Sequence, residues 1–133
     1  MTTKSLPQWL LMISLALLLA ACGSNNKPED FTKQFYQTIA AGKIDQAVGM
    51  FSYQDVKESD MTTARGKVTM VVGHMQSKIE ESGGLKSVEI LSVETAGDTQ
   101  ANIEVKLHFN NGSSETDRLR LIREQDGWKI QLK

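Results

Sequence analysis

Residues 101–110 read AlaAsnIleGluValLysLeuHisPheAsn, an unbroken alternation of apolar and polar side chains. Successive side chains of a strand point to opposite faces. Ala101, Ile103, Val105, Leu107 and Phe109 therefore share one face, and Asn102, Glu104, Lys106, His108 and Asn110 share the other. Such a segment demands an antiparallel sheet with one dry face and one wet face. The rest of the chain must then supply elements that cover the dry face.

The neighbouring segments supply further strands. Val88 to Val93 reads as a strand before it, with a turn at Gly97-Asp98 between the two. Asn111-Gly112 is a hairpin signal. Thr116 to Glu124 follows as a third strand carrying Leu119 and Leu121, and Asp126-Gly127 makes another tight turn. Trp128, Ile130 and Leu132 then alternate to the end of the sequence. Trp128 is expected to fill the core while Lys129 and Lys133 stay wet.

The cover comes from upstream, where the apolar period is 3.6 instead of 2. Pro28-Glu29-Asp30 opens a helix, with proline at a first-turn position and acids at the positive end of the dipole. Phe31, Phe35 and Ile39 recur along it with Tyr36 alongside, and Gly42 ends it. A short second helix is predicted from Ile44 to Phe51, then a loop over residues 52–60. A long third helix runs from Met61 to about Ser82, with Ala64, Val68, Val71, Val72, Met75 and Ile79 on one face, and stops at Gly83-Gly84. Three helices followed by four antiparallel strands make an α+β fold: N-terminal helices packed on a curved four-stranded sheet.

The beginning of the sequence follows other rules. Lys4 gives a positive start, and Trp9 to Ala21 is uncharged with one polar interruption, Ser14. That run matches a secretory hydrophobic region and is well short of the roughly 20 residues of a spanning helix. Cys22, the single cysteine, comes directly after it. One cysteine builds no internal disulfide.

Leu19-Ala20-Ala21-Cys22 resembles the lipobox of bacterial lipoproteins. The resemblance implies a lipoprotein signal peptide over residues 1–21 and cleavage between Ala21 and Cys22. It also implies a diacylglycerol thioether on the Cys22 sulfur, with a further acyl chain, often palmitate, on the new amine. Two or more chains are what firm anchoring needs, because a single chain binds a membrane only marginally. Gly23 stands where many Gram-negative lipoproteins retained in the inner membrane carry Asp. The resemblance thus implies a lipid-anchored protein of the cell envelope, facing the periplasm from the outer membrane in a Gram-negative cell. Residues 22–27 are read as the lipidated cysteine and a flexible tether, and residues 28–133 as the folded domain.

A second resemblance rests on the folded part. Ala41-Gly42-Lys43-Ile44-Asp45 precedes Gln46-Ala47, a long helix and a strand meander follow, and Asp126-Gly127-Trp128-Lys129-Ile130 lies near the end. This is similar to small lipoproteins with a DUF4878-type domain, within the NTF2-like (cystatin-like) superfamily. It implies a curved sheet wrapped around helices, often with a conical pocket. The pocket candidates are Phe35, Tyr36, Phe51, Met75, Phe109 and Trp128.

Charge narrows the partners. The chain has 15 Lys plus Arg against 16 Asp plus Glu, a formal charge of −1. Without residues 1–21 the count is 14 against 16, because only Lys4 is lost. That balance argues against a nucleic-acid partner. Arg118, Arg120 and Lys106 can share the wet sheet face, where Glu104, Glu115 and Glu124 offset them. His74 and His108 lie on different elements, and no metal-ligand spacing or phosphate-binding loop occurs, so no metal or cofactor is expected.

Enzymes of ketosteroid isomerase type within the superfamily use an acid and a tyrosine in an apolar pocket. Tyr36, Tyr53, Asp45 and Asp55 are the residue types available here, and none sits in a catalytic motif. No catalytic residue is assigned, and the chain is read as a non-enzyme. The expected role is a membrane-anchored binding or interaction module. Its partner would be an envelope protein, a second copy or a small apolar molecule. The alternatives are a small NTF2-like enzyme and a structural accessory of an envelope complex.

Overall fold

The computed structural model describes residues 27–132. Cys22 and the lipobox lie outside the described residues. The chain forms α1 (Pro28–Ala40), α2 (Ile44–Val48), a 3-10 turn (Glu58–Asp60), α3 (Met61–Glu81) and four strands. The strands are β1 (Leu85–Ala96), β2 (Gln100–Phe109), β3 (Ser114–Glu124) and β4 (Gly127–Ile130). They form one antiparallel sheet in sequence order, β1-β2-β3-β4.

The dry face of β2 is as dry as its alternation demands. Ala101, Ile103, Val105, Leu107 and Phe109 are all buried, none more than 3% exposed. Phe35, Tyr36 and Ile39 of α1 belong to the same core, as do Leu121, Trp128 and Ile130 from β3 and β4. Two polar groups buried along α1 are satisfied within the helix. Thr32 Oγ1 donates to the Pro28 carbonyl at 2.8 Å, and Thr38 Oγ1 to the Gln34 carbonyl at 2.7 Å. All three helices and all four strands contribute to this core, the single shared core that marks a folding unit.

Two turns end the long helices, and the second of them is bonded to the sheet. Gly42 ends α1 with φ 79°, a conformation that favours glycine. Gly84, φ 103°, leads from α3 into β1, and a Cβ there would lie 2.9 Å from Asn110 Nδ2. That amide donates to the Gly83 carbonyl at 2.9 Å, and Asn110 N donates to the Gly84 carbonyl at 3.0 Å. The end of α3 is thereby fixed to the β2–β3 turn.

Three expectations shift. The second helix ends at Val48, three residues before Phe51. Residues 50–52 are instead drawn along β4: Ile130 N donates to the Met50 carbonyl at 2.9 Å and Ser52 N to the Ile130 carbonyl at 2.7 Å. β1 is longer than Val88 to Val93 and mostly exposed, because it is the sheet edge and a register irregularity falls between Ile90 and Ser92. On α3, Val68, Val72 and Ile79 are buried, whereas Val71 is 58% exposed. The reason for the third is placement: α3 packs most closely on α1 and α2 and stands farther from the strands, which it meets through the core side chains Val68, Val72 and Ile79. Only a narrow stripe of α3 is covered, and Val71 faces the gap left between α3 and the sheet.

Candidate functional site

That gap is the main concave feature of the described residues. A cleft of about 850 Å³ lies between α3, the loop before it and the β3–β4 end of the sheet. Its walls include Phe35, Phe51, Val68, Val72, Met75 and Ile130. A second cleft, about 510 Å³, adjoins it through Val71, Met75 and Asp117 and reaches Leu107 and Phe109. An ion pair between Lys78 of α3 and Glu115 of β3 joins the helix to the sheet beside this second cleft. A third hollow, about 390 Å³, sits on the wet sheet face and is lined mostly by polar groups such as Glu104 and Arg118, which pair at 2.9 Å.

The polar feature of the main cleft comes from the register of β3. Asp117 pairs with Val105 and Glu115 with Leu107, so both acids stand on the inner face. Asp117 Oδ2 accepts the Tyr36 phenolic hydrogen at 2.6 Å. Asp117 Oδ1 accepts the Arg118 backbone N–H at 2.8 Å. Tyr36 is completely buried, and its hydroxyl pKa is raised well above the ordinary tyrosine value. Burial is the first cause; the negative charge of Asp117 and the hydrogen bond to it act in the same direction. The phenol therefore stays protonated and holds the carboxylate in place at the junction of the two clefts.

The β3 edge also opens onto this space. β4 covers only residues 121–124 of β3, and Gln131 N adds one bond to the Arg120 carbonyl at 2.8 Å. The consecutive residues 117–120 consequently line the cleft.

The pocket candidates from the sequence fall in different places. Phe35, Phe51 and Met75 line the main cleft, and Phe35 and Phe51 meet edge to face at 5.6 Å. Tyr36 lies beneath it, reaching it through Asp117. Phe109 lines the smaller cleft. Trp128 is in the core away from both clefts, with the Arg123 guanidinium 5.7 Å from its ring centre.

The structure joins Tyr36 to Asp117, not to Asp45 or Asp55. Asp45 is exposed at the start of α2, and Asp55 is exposed at the cleft mouth. Tyr53 donates to the Val48 carbonyl at 2.8 Å beneath the Arg65 guanidinium. Burial raises its pKa, and the Arg65 charge opposes the rise. Asp117 was missed in the sequence, although a signal was present. Counting back by twos from Leu121 and Leu119 reaches Asp117 and Glu115.

Among the described residues no group of three His, Cys, Asp or Glu is placed to hold a metal. No described helix is long and apolar enough to cross a membrane.

A family model described as a domain of unknown function, DUF4878, matches residues 20–131. This chain belongs to the DUF4878 family. Its fold is NTF2-like: the DUF4878 domain is similar to a crystal structure from Campylobacter jejuni provisionally named an NTF2-like transpeptidase. The two are 25% identical with a TM-score of 0.74, over 81% of this chain and 100% of the other. A solution structure of a SEC-C motif containing protein from Rhodopseudomonas palustris is also similar, at 15% identity and a TM-score of 0.50. That likeness covers 86% of this chain and 83% of the other and speaks to the fold of the DUF4878 domain alone. No curated protein matches the sequence.

Proposed function

We propose that this DUF4878 protein is a lipid-anchored binding module of the bacterial cell envelope. Cys22 carries the anchor, residues 22–27 form the tether, and the cleft between α3 and the sheet takes a small molecule with a substantial apolar part. The observation that carries the reading is the cleft itself. Its volume of about 850 Å³ falls within the usual size of small-molecule sites, and its exposed wall is mainly apolar, with charged side chains such as Asp55, Lys57, Asp60 and Lys67 around it. Anchoring is supported by Leu19-Ala20-Ala21-Cys22 after a charged start and an apolar run of secretory length.

A binding role fits the residues better than a catalytic one. The Tyr36 hydroxyl is occupied by Asp117 and is buried, so it is not available to a reacting oxygen in the cleft. Acyl transfer of the kind named for the Campylobacter protein needs a nucleophile joined to a base. His74 and Ser77 both line the smaller cleft, yet no hydrogen bond connects them.

The test is native mass spectrometry of residues 25–133 exported to a periplasm. The expected result is a population with added mass that disappears in Val71→Trp, which fills the exposed junction of the two clefts. Added mass that survives this change would place the bound molecule elsewhere. A bare protein that also fails to take up any apolar probe would contradict the reading.

A further inference from the structure

We propose that the molecule bound in this cleft carries a protonated amine on an apolar body, and that Asp117 is the residue that holds the amine. The inference rests on the cleft being a binding site and adds the charge of what it binds.

Asp117 is half-buried on the inner face of β3 and borders both clefts. An ionised carboxylate offers about four acceptor positions. Two are used here, by Tyr36 Oη at 2.6 Å and by Arg118 N at 2.8 Å. Both donors are neutral, so they orient the carboxylate without balancing its charge.

Four cations line the cleft, and none reaches Asp117: Lys57 and Lys67 stand on the helical side, while Arg118 and Arg120 alternate with Asp117 onto the wet face of β3, where both also line the wet-face hollow. The Arg118 side chain is on the wet face with Glu104 at 2.9 Å, and Lys78 is paired with Glu115. No described Lys, Arg or His makes an ion pair with Asp117. A partly buried charge without a counter-ion is unfavourable, and a bound cation relieves that cost.

The surroundings set the rest of the chemistry. The wall opposite is apolar, from Val68, Val72 and Met75 of α3. The mouth carries Asp55 and Asp60 with Lys57 and Lys67, which leaves it without a net sign. On the inner face of β3, Asp117 is the charge set where the two clefts meet, and it disfavours a carboxylate or phosphate at that point. Tyr36 is a positioning residue: it holds the acid without entering the cleft.

The probes are octylamine, octan-1-ol and octanoate, titrated calorimetrically into residues 25–133 at neutral pH and fixed ionic strength. Their apolar tails match and their head groups differ in charge. Octylamine should bind roughly ten- to a hundredfold more tightly than octanol, the range of one charge-assisted hydrogen bond. Octanoate should bind most weakly. The Arg118 backbone amide donates to Asp117 Oδ1, so its NMR resonance should move farther with octylamine than with octanol, and that difference should vanish in Asp117→Asn.

Asp117→Asn keeps the side-chain shape and an acceptor for Tyr36. It should abolish the amine preference while octanol affinity stays the same. Tyr36→Phe keeps the carboxylate and should weaken octylamine less than Asp117→Asn does. Equal binding of amine and alcohol, or an amine preference that survives in Asp117→Asn, overturns the proposal and leaves the cleft reading standing. Failure of all three probes to bind overturns both.

Discussion

Tyr36 in the middle of α1 donates its phenolic hydrogen to Asp117 on β3, a 2.6 Å bond between residues 81 apart in sequence. It joins the helical half of the domain to the inner face of the sheet. There a fully buried core side chain meets a carboxylate of the cleft.

Removing that hydroxyl should be felt in stability. Tyr36→Phe keeps the buried ring and deprives Asp117 of one of its two donors. The expected loss is about 1.5–3 kcal/mol, the range for hydrogen bonds to charged groups. Urea unfolding of residues 25–133, with an unchanged slope against denaturant, measures it.

The same pair sets an alkaline limit. The Tyr36 pKa is raised in the folded state, chiefly by burial and next by Asp117. Both states keep the proton below the ordinary tyrosine value of about 10, so stability is fully present there. Above it the unfolded chain loses the proton and the folded chain retains it, so stability falls as pH rises. The slope approaches about 1.4 kcal/mol per pH unit for one such group. Unfolding curves between roughly pH 9 and 11 should show the fall, flatter in Tyr36→Phe. Equal slopes in the two proteins would contradict the assignment.

The phase of α3 predicts opposite outcomes for neighbouring residues. Val72 is completely buried and Val71 is 58% exposed. Val72→Ala should cost about 1.5–3 kcal/mol from lost burial and the space left behind. Val71→Ala should stay within about 0.5 kcal/mol of the parent. Paired denaturation curves decide this directly.

Trp128 is 7% exposed and sits in the core cluster. Trp128→Ala should cost about 3–5 kcal/mol. Because Trp128 lines neither cleft, a folded variant that replaces it with Phe should keep the affinity of the cleft for octan-1-ol.

Anchoring is tested apart from the fold. Cys22→Ala in the full chain should move the protein from the membrane fraction to the soluble one and remove the mass of the acyl chains. Unchanged partitioning with no mass difference would contradict lipidation at that residue.

The sheet was legible in the sequence because β2 alternates over its whole length and its turns carry Gly97, Gly112 and Gly127. Helix starts and stops were legible for similar local reasons at Pro28, Gly42 and Gly83. The cleft was harder to read. Periodicity places Val71 and Val72 on neighbouring parts of one face, but it does not say that α3 leans on α1 and α2 and leaves clefts between itself and β3. Asp117 was passed over because β3 carries charges on both faces, which masks the alternation running back from Leu121 and Leu119, and its register against Val105 makes the side plain. The short second helix reflects a nonlocal competitor: residues 50–52 hydrogen-bond to β4, some eighty positions away.

The most direct test of the account is a titration of residues 25–133 with the neutral apolar dye N-phenyl-1-naphthylamine, comparing the parent with Val71→Trp and Met70→Trp. Val71 borders both clefts, and Met70, 71% exposed on the same helix, borders neither. The account predicts saturable binding at one site, lost in Val71→Trp and kept in Met70→Trp. Absence of saturable binding in the parent, or equal binding by all three proteins, would contradict it.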